Sequence, residues 1–301
     1  MTGSTGYVGG AVLRGRPPGT LRALQRTKKA AVEGIEVTVG DLRDSAACER
    51  LLDGADVVLH CASYIGPSED LATDVNDHGT RTLVEAAKRA GVARIIYVST
   101  TGVYGHGPFV GASEDTTLSP VSPTSRSRLE AEQHVLAAGG TVIRPHIVYG
   151  VGDTRVLPAA LRALRAVGGV PFPSPLVSAL STTQLAAQVW ALVAREDLAG
   201  QAVNANHGAP VRLSRLVEMA GSATDLEMMS ANDVFRRVQE VGASEHQAWM
   251  LAAHNHFSSS LADGGSPAVD DNPRIRQWYR DWARAALIPE SQSRGLPGRR
   301  R

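Results

Sequence analysis

Gly3, Gly6 and Gly9 stand at three-residue intervals in the opening stretch MTGSTGYVGG, a spacing suited to holding phosphate. The first glycine permits a tight turn, the second lets backbone approach a pyrophosphate, and the third allows the next helix to pack closely on a sheet. Thr5, Tyr7 and Val8 belong to the same cradle. The helix behind it offers unpaired N–H groups and the positive end of its dipole. Taken alone, such a glycine pattern also makes plain turns. An acidic residue about 20 positions later would bind a ribose 2′-hydroxyl. Here that stretch reads ALQRTKK (23–29), without a carboxylate. Arg26, with Lys28 and Lys29 nearby, can pair with a 2′-phosphate, which favours NADP(H) over NAD(H). The alternative is a solvated basic loop.

A glycine turn of this kind needs a strand before it and alternating elements after it. Segments 20–26, 34–41, 55–63, 93–100 and 141–150 read as strands, and 45–54, 74–92 and 125–140 as helices. In the long helix, Leu83, Val84, Ala87 and Ala90 recur at helical spacing, and Gly91 ends it. This alternation predicts an α/β fold, a Rossmann-like doubly wound parallel sheet. After about residue 150 the pattern loosens into helical stretches at 155–167, 182–195, 212–220 and 231–254. The expected organisation is a dinucleotide-binding domain over 1–150, a smaller substrate lobe over 151–288 carrying late elements of the sheet, and a disordered tail over 289–301. The strand before the turn is missing from the sequence, although it should lie mid-sheet and span about five or six residues. The opening predicts a valine GTG codon read as the initiator, or else a truncation with loss of function.

The pieces TGSTGYVGG, GDLRD (40–44), VVLHCAS (57–63), DVNDHGTRTLVEAAKRAGV (74–92), YVSTTGVYG (97–105), RPHIVYGVGD (144–153) and AVNANHGAPVRLSRLVE (202–218) run in order. Together, over roughly residues 2–220, they resemble the extended short-chain dehydrogenase/reductases, a group of nucleotide-sugar epimerases, dehydratases and ketoreductases. The resemblance implies that Asp41 and Leu42 flank an adenine and that Cys61, Ala62 and Ser63 line the cofactor. It implies that Thr100 hydrogen-bonds a substrate oxygen. Pro145 and Val148 would lie along the nicotinamide, and His146 and Ile147 near the substrate. Cys61 reads as an inert buried thiol rather than a reactive one, and His146 equally as a packed loop histidine.

The family carries Tyr-x-x-x-Lys on the helix after the fifth strand, and this chain departs from it. The aligned run SPTSRSRLEAEQ (122–133) places Thr124 at the tyrosine and Arg128 at the lysine. A threonine hydroxyl is a poor acid or base. Arg128 keeps its charge and can bind the ribose and a developing oxyanion. The proton would then come through water or a relay. Tyr104 is a substitute acid by motif or a packed tyrosine, and Tyr64 and Tyr149 are weaker candidates.

RPHIVYGVGDTRVLPAALRALRAVGGVP looks most like ketoreductases that use NADPH to reduce the 4-keto group of NDP-linked deoxyhexoses in secondary metabolism. Arg155, Arg162 and Arg165 would meet the sugar pyrophosphate or form helix surface. Two other readings stand beside this one: an NADP(H)-binding protein without catalysis, and an epimerase.

The bulk numbers exclude several classes. With 301 residues, 43% hydrophobic, 20% charged and a net charge of +1, the chain gives no reason to expect nucleic acid or an anionic membrane as partner. No apolar run or leader points to a membrane or export, so the expected location is cytoplasmic. Cys48 and Cys61 make neither a disulfide framework nor a zinc site, and no metal is expected. The resemblance suggests a homodimer paired through helices 74–92 and 125–140.

Overall fold

A computed structural model describes residues 1–28, 34–206, 208–220, 226–261, 269–270 and 272–286. Up to residue 150 the strands are β1 (Leu21–Gln25), β2 (Ile35–Val39), β3 (Val57–His60), β4 (Arg94–Val98), β5 (Phe109–Ala112), β6 (Thr141–Pro145) and β7 (Ile147–Tyr149). The helices between them are α1 (Tyr7–Arg14), α2 (Ser45–Leu52), α3 (Glu69–Ala72), α4 (Gly79–Arg89) and α5 (Pro123–Ala137). Beyond 150 come α6 (Val156–Val167), β8 (Gly169–Pro171), β9 (Leu176–Val177), β10 (Ala179–Ser181), α7 (Thr182–Ala191), β11 (Ala202–Ala205) and β12 (Val211–Arg212). Then follow α8 (Leu213–Met219), β13 (Glu227–Met229), α9 (Ala231–Glu240), α10 (Glu245–Ala252), β14 (Asn255–Phe257) and α11 (Pro273–Ala286).

The main sheet is parallel. β2 pairs with β1, and β3, β4, β6 and β11 pair in that order. Met1 and Thr2 join the two groups. Thr2 bridges Leu24 on one side and His60 on the other. The Thr2 amide donates to Leu59 O at 3.0 Å, and Leu24 donates to Met1 O at 2.9 Å. Two residues thus stand in the place of a first strand, directly before the glycine turn.

Alternate strand residues point to opposite faces. Leu59, Ile96, Val98 and Ile143 pack with Val12 and Leu13 of α1 and Leu185 and Val189 of α7. Val58, Ile95, Tyr97 and Val142 pack with α2, α4 and α5 through Leu51, Leu83 and Val135. The sheet is therefore covered by helices on both faces, as the alternation predicts. α6, α8, α9, α10 and α11 build a separate apolar core that includes Ile147 and Tyr149. Residues 182–205 return to the main sheet, α7 packing beside α1 and β11 beside β6.

Four boundaries differ from the sequence expectation. The strand read over 141–150 breaks at His146. β6 stays in the main sheet, whereas β7 pairs with β10. The helix read over 231–254 is two helices, because Gly242 takes φ +82 after α9 and Ser244 caps α10. The helix over 74–92 contains a π-helical turn, Thr73–His78, and its buried face uses Ala86 while Ala90 is exposed. The helix over 182–195 ends at Ala191 and tightens into a 3-10 turn. α11 has no counterpart in the sequence reading. Lys29 and the tail over 289–301 lie outside the described residues. Among the described residues no helix is long and apolar enough to cross a membrane.

Candidate functional site

A cleft of about 1000 Å³ opens at the carboxyl ends of β3, β4 and β6, beside the start of α1. The glycine turn forms one wall through Thr5, Gly6, Tyr7, Val8 and Gly9. The Gly6 amide donates to Gly3 O at 2.9 Å, which closes the turn, and Gly3 takes φ +71. A Cβ on Gly9 would meet Gly3 C at 2.7 Å, with Gly3 O closer still. A Cβ on Gly3 would meet Ala62 N at 2.5 Å. The turn is thus pressed between α1 and the end of β3, which is what the glycine spacing predicts. Gly6 caps α1 without a side-chain acceptor, and no acidic residue stands in the first turn. That helix end suits an anionic group.

The opposite wall carries the polar chemistry. Arg128, on α5, donates from Nε to Ser63 Oγ at 2.9 Å and from Nη1 to Ser99 O at 3.0 Å. Its guanidinium is fixed across the ends of β3 and β4. Thr100 follows β4, and its Oγ1 accepts from Gly102 N at 3.1 Å. Its own O–H therefore remains free to donate. Cys61, Ser63, Thr100, Arg128, Pro145, His146, Val148 and Arg155 all line this cleft. Burial pushes the Cys61 thiol up to about 12, which keeps it protonated. Arg155 also donates from Nη1 to Ile65 O at 2.8 Å.

Other residues singled out from the sequence lie elsewhere. Arg26 is exposed beyond the end of β1. Asp41 is held by Arg43, whose Nε and Nη2 donate to its two oxygens at 2.8 and 3.1 Å. Those hydrogen bonds hold the Asp41 carboxyl below its usual range. Leu42 is buried with α2 and α4, where a Cβ on Gly79 would meet its side chain at 3.0 Å, and Ala62 packs against the same core. Thr124 is turned away, with its hydroxyl 3.5 Å from Gly66 O. Ile147 is in the separate apolar core built with α6, α8 and α11. Arg162 stacks over the Trp282 ring at 5.5 Å, and Arg165 does not line the cleft.

Two of the three candidate phenols, Tyr104 and Tyr149, are engaged by other groups. Tyr104 is 2% exposed; it donates to Asn204 Oδ1 at 2.9 Å and accepts from Arg144 Nη1 at 2.9 Å. Burial raises its pKa. Arg144 is paired in turn with buried Glu132. Tyr149 is fully buried, and its oxygen accepts from Asp270 N. Tyr64 sits in the 63–66 turn, outside the cleft. The packed reading of Tyr104 thus matches its surroundings.

Two residues that organise the site went unassigned in the sequence reading. Asn76, on the π-helical turn, accepts from Ser63 Oγ and Tyr64 N at 3.0 and 2.7 Å. Its amide donates to Tyr64 O and Ser127 Oγ, both at 3.0 Å. It holds the loop that holds Arg128. An asparagine inside a helical pattern was the available signal, since such residues seek local backbone partners. Asp153 caps α6, accepting from the amides of Arg155, Val156 and Leu157 and from the Tyr279 hydroxyl at 2.9 Å. It ties α11 to the rim of the cleft, where Arg274 and Ile275 also line the space. An Asp ahead of a helical run is a capping signal.

Among the described residues, three buried polar atoms on cleft-lining residues have no hydrogen-bond partner: Tyr7 Oη, Ser99 Oγ and His146 Nε2. Leaving such atoms unpaired costs about 1–3 kcal/mol each. Together with the uncapped end of α1 and the fixed guanidinium, they fit a large polar ligand bearing phosphate.

Comparison with known proteins agrees with this architecture. The dTDP-4-dehydrorhamnose reductase of Mycobacterium tuberculosis is 37% identical over 161 residues, 48% of this chain and 52% of that protein. The sterol demethylase protein B of Methylococcus capsulatus is 32% identical over 173 residues, 52% of each chain. The chain spans about half the length of these curated relatives. A dTDP-glucose 4,6-dehydratase double mutant from Streptomyces venezuelae, crystallised with NAD and DAU, superposes with a TM-score of 0.68 at 21% identity, over 93% of this chain and 96% of that one. At that identity the likeness is one of fold. Residues 1–183 match the NAD dependent epimerase/dehydratase family, so the chain belongs to that family.

Proposed function

We propose that the protein is an oxidoreductase that uses NADPH to reduce the 4-keto group of an NDP-linked 4-keto-deoxyhexose. The observation that carries this reading is the convergence of the glycine turn, Thr100 and Arg128 on one cleft. Gly3, Gly6, Gly9 and the start of α1 would hold the pyrophosphate, and Arg128 and Ser63 the nicotinamide-side ribose. The choice of NADP(H) over NAD(H) rests on exposed Arg26 and Lys28 and on Asp41, whose carboxylate is already engaged by Arg43. Neighbours crystallised with NAD support a nicotinamide dinucleotide of one kind or the other. The similar dTDP-4-dehydrorhamnose reductase supports the sugar substrate.

When bound, the reduced nicotinamide supplies hydride to the carbonyl carbon. Thr100 donates its free O–H to the carbonyl oxygen. Arg128, held by Ser63 and Ser99, places positive charge where negative charge develops, and needs no reorganisation to do so. Arg128 cannot give up its proton, and Thr124 faces Gly66. The alkoxide is therefore protonated from water that enters the open cleft. The homodimer implied by the resemblance would use the outer faces of α4 and α5, where Arg81, Glu85 and Lys88 are exposed.

The test is consumption of NADPH on mixing with dTDP-4-keto-6-deoxyglucose, followed by reduced-nicotinamide absorbance. Loss of NADPH with formation of the 4-hydroxy sugar supports the reading. Tight NADPH binding without consumption of any 4-keto sugar favours a binding protein without catalysis, a reading supported by Thr124 at the acid position and by the engaged Tyr104.

A further inference from the structure

A second, smaller pocket adjoins the cleft and shares Thr100 and His146 with it. It lies between the loop leading into β5 and helix α10. Phe109, Trp249 and Phe257 give it apolar wall, and three imidazoles stand among those rings. His106 and His246 stack with centroids 5.8 Å apart, and the His146 ring stands 5.3 Å from Phe257. His146 occupies the break between β6 and β7, at the carboxyl edge of the main sheet. Thr101 Oγ1 pairs with its Nδ1 at 2.9 Å, while its Nε2 is buried without a partner. Among the described residues no hydrogen bond reaches His106 or His246 either; His106 Nδ1 lies 3.8 Å from Glu245, beyond hydrogen-bond reach. Burial, ahead of a neighbouring imidazole in each case, lowers the pKa of His246 and takes that of His146 down to about 3. Both rings therefore stand uncharged.

A neutral imidazole carries one N–H and one bare nitrogen, so these rings can both give and take a hydrogen bond. A methyl in the pocket would leave buried nitrogens unpaired. A carboxylate or ammonium would need a counter-charge, and among the described residues no Asp, Glu, Lys or Arg lines the space. A hydroxyl both donates and accepts, whichever nitrogen of each ring holds its proton. The volume is about 70 Å³. At about 30 Å³ per water-sized group, that admits roughly two such groups. We infer that this ring-walled pocket receives a hydroxyl borne by the carbon next to the reacting carbonyl, with His146 Nε2 among its partners. The inference rests on the proposed sugar substrate. In a 4-keto-6-deoxyhexose the carbons flanking the carbonyl are C3 and C5; C5 bears the methyl, and the hydroxyl is the one on C3. Thr100 lines both spaces, so a carbonyl oxygen held by its O–H lies beside the opening of the pocket. The pocket thereby selects sugars that keep the 3-hydroxyl over those that have lost it.

The test is a calorimetric titration of the full chain, saturated with NADP⁺, with dTDP-4-keto-6-deoxyglucose and its 3-deoxy counterpart. The wild type is expected to bind the 3-hydroxy sugar about 10- to 100-fold tighter, the scale set by leaving a buried polar atom unpaired. His146→Phe, which keeps a ring and removes Nε2, should bring the two sugars level. His246→Phe, which keeps the stack on His106 and removes its nitrogens, should narrow the preference. NADPH binding by both variants checks their folding. Equal binding of the two sugars by the wild type, or a preference undiminished in either variant that folds, overturns the pocket inference alone. Binding of neither sugar by a protein that binds NADPH overturns the proposed substrate class, and the inference with it.

Discussion

Gly9 and Gly10 are neighbours on the same helix, and replacing each by alanine should have opposite consequences. In a helix, Gly→Ala is worth about 0.5–1 kcal/mol of stability. At Gly10 the added methyl meets Arg14 Nη1 at 3.4 Å and Ser4 O at 3.5 Å, ordinary contacts with room to adjust. Gly10→Ala should therefore leave NADPH binding intact and raise the melting temperature slightly. At Gly9 the methyl would stand 2.7 Å from Gly3 C, with Gly3 O nearer, and both are backbone. Reaching ordinary contact requires the turn and α1 to part by roughly 1 Å, which takes a turn amide away from the pyrophosphate, and a hydrogen bond to a charged group is worth about 1.5–3 kcal/mol, on the order of 10- to 100-fold. The assay is fluorescence titration of NADPH against the wild type and both variants, with thermal melting in parallel. Gly9→Ala should weaken binding about 10- to 100-fold while remaining folded. Equal binding by Gly9→Ala and wild type, or an equal loss in Gly10→Ala, would refute the argument that the turn is clamped against α1.

Further expectations concern cofactor choice, catalysis and stability. Arg26→Ala should erase a preference for NADPH over NADH of roughly 10- to 100-fold, the scale of a charged hydrogen bond, with NADH affinity unchanged. Thr100→Val should lower kcat for keto-sugar reduction by about 10- to 100-fold, and Thr100→Ser should restore most of it, if the hydroxyl donates to the reacting oxygen. Glu132→Ala strands the Arg144 guanidinium in the core and should cost about 3–5 kcal/mol in urea unfolding. His60 is buried between Thr2 and Thr80, and burial lowers its pKa from 6.5 to about 3. The unfolded chain takes up that proton near 6.5 and the folded chain refuses it until about 3. Its contribution to stability is therefore complete above pH 6.5 and declines on acidification, by up to ~1.4 kcal/mol per pH unit. His146 adds a similar slope, and unfolding of His60→Gln across pH 7 to 5 should show one histidine's share removed.

The parallel sheet was legible because its strands are short apolar runs separated by capped helices, signals that need only local sequence. The glycine turn was legible for the same reason, since each glycine answers a backbone requirement. The break at His146 was not, because pairing of β7 with β10 is decided by residues more than thirty positions away. Local hydrophobicity runs through that break unchanged. The separation of α9 from α10 turned on Gly242, a signal that was present but outweighed by the helical pattern around it. Arg128 was found by its register in a motif, whereas Asn76, which holds the loop beneath it, showed only as a polar residue in a helix. The ring-walled pocket draws on residues 100–109 and 246–257, and no pattern in the chain announces that they meet.

The glycine turn and Arg128 together are expected to form the site for NADP(H). The most direct measurement is fluorescence titration of NADPH and NADH with the wild type and Arg128→Ala. The wild type should bind saturably, at least about tenfold tighter for NADPH, and Arg128→Ala should lose about 10- to 100-fold. Absence of binding to either nucleotide by a folded wild-type protein, or binding unaltered in Arg128→Ala, would contradict it.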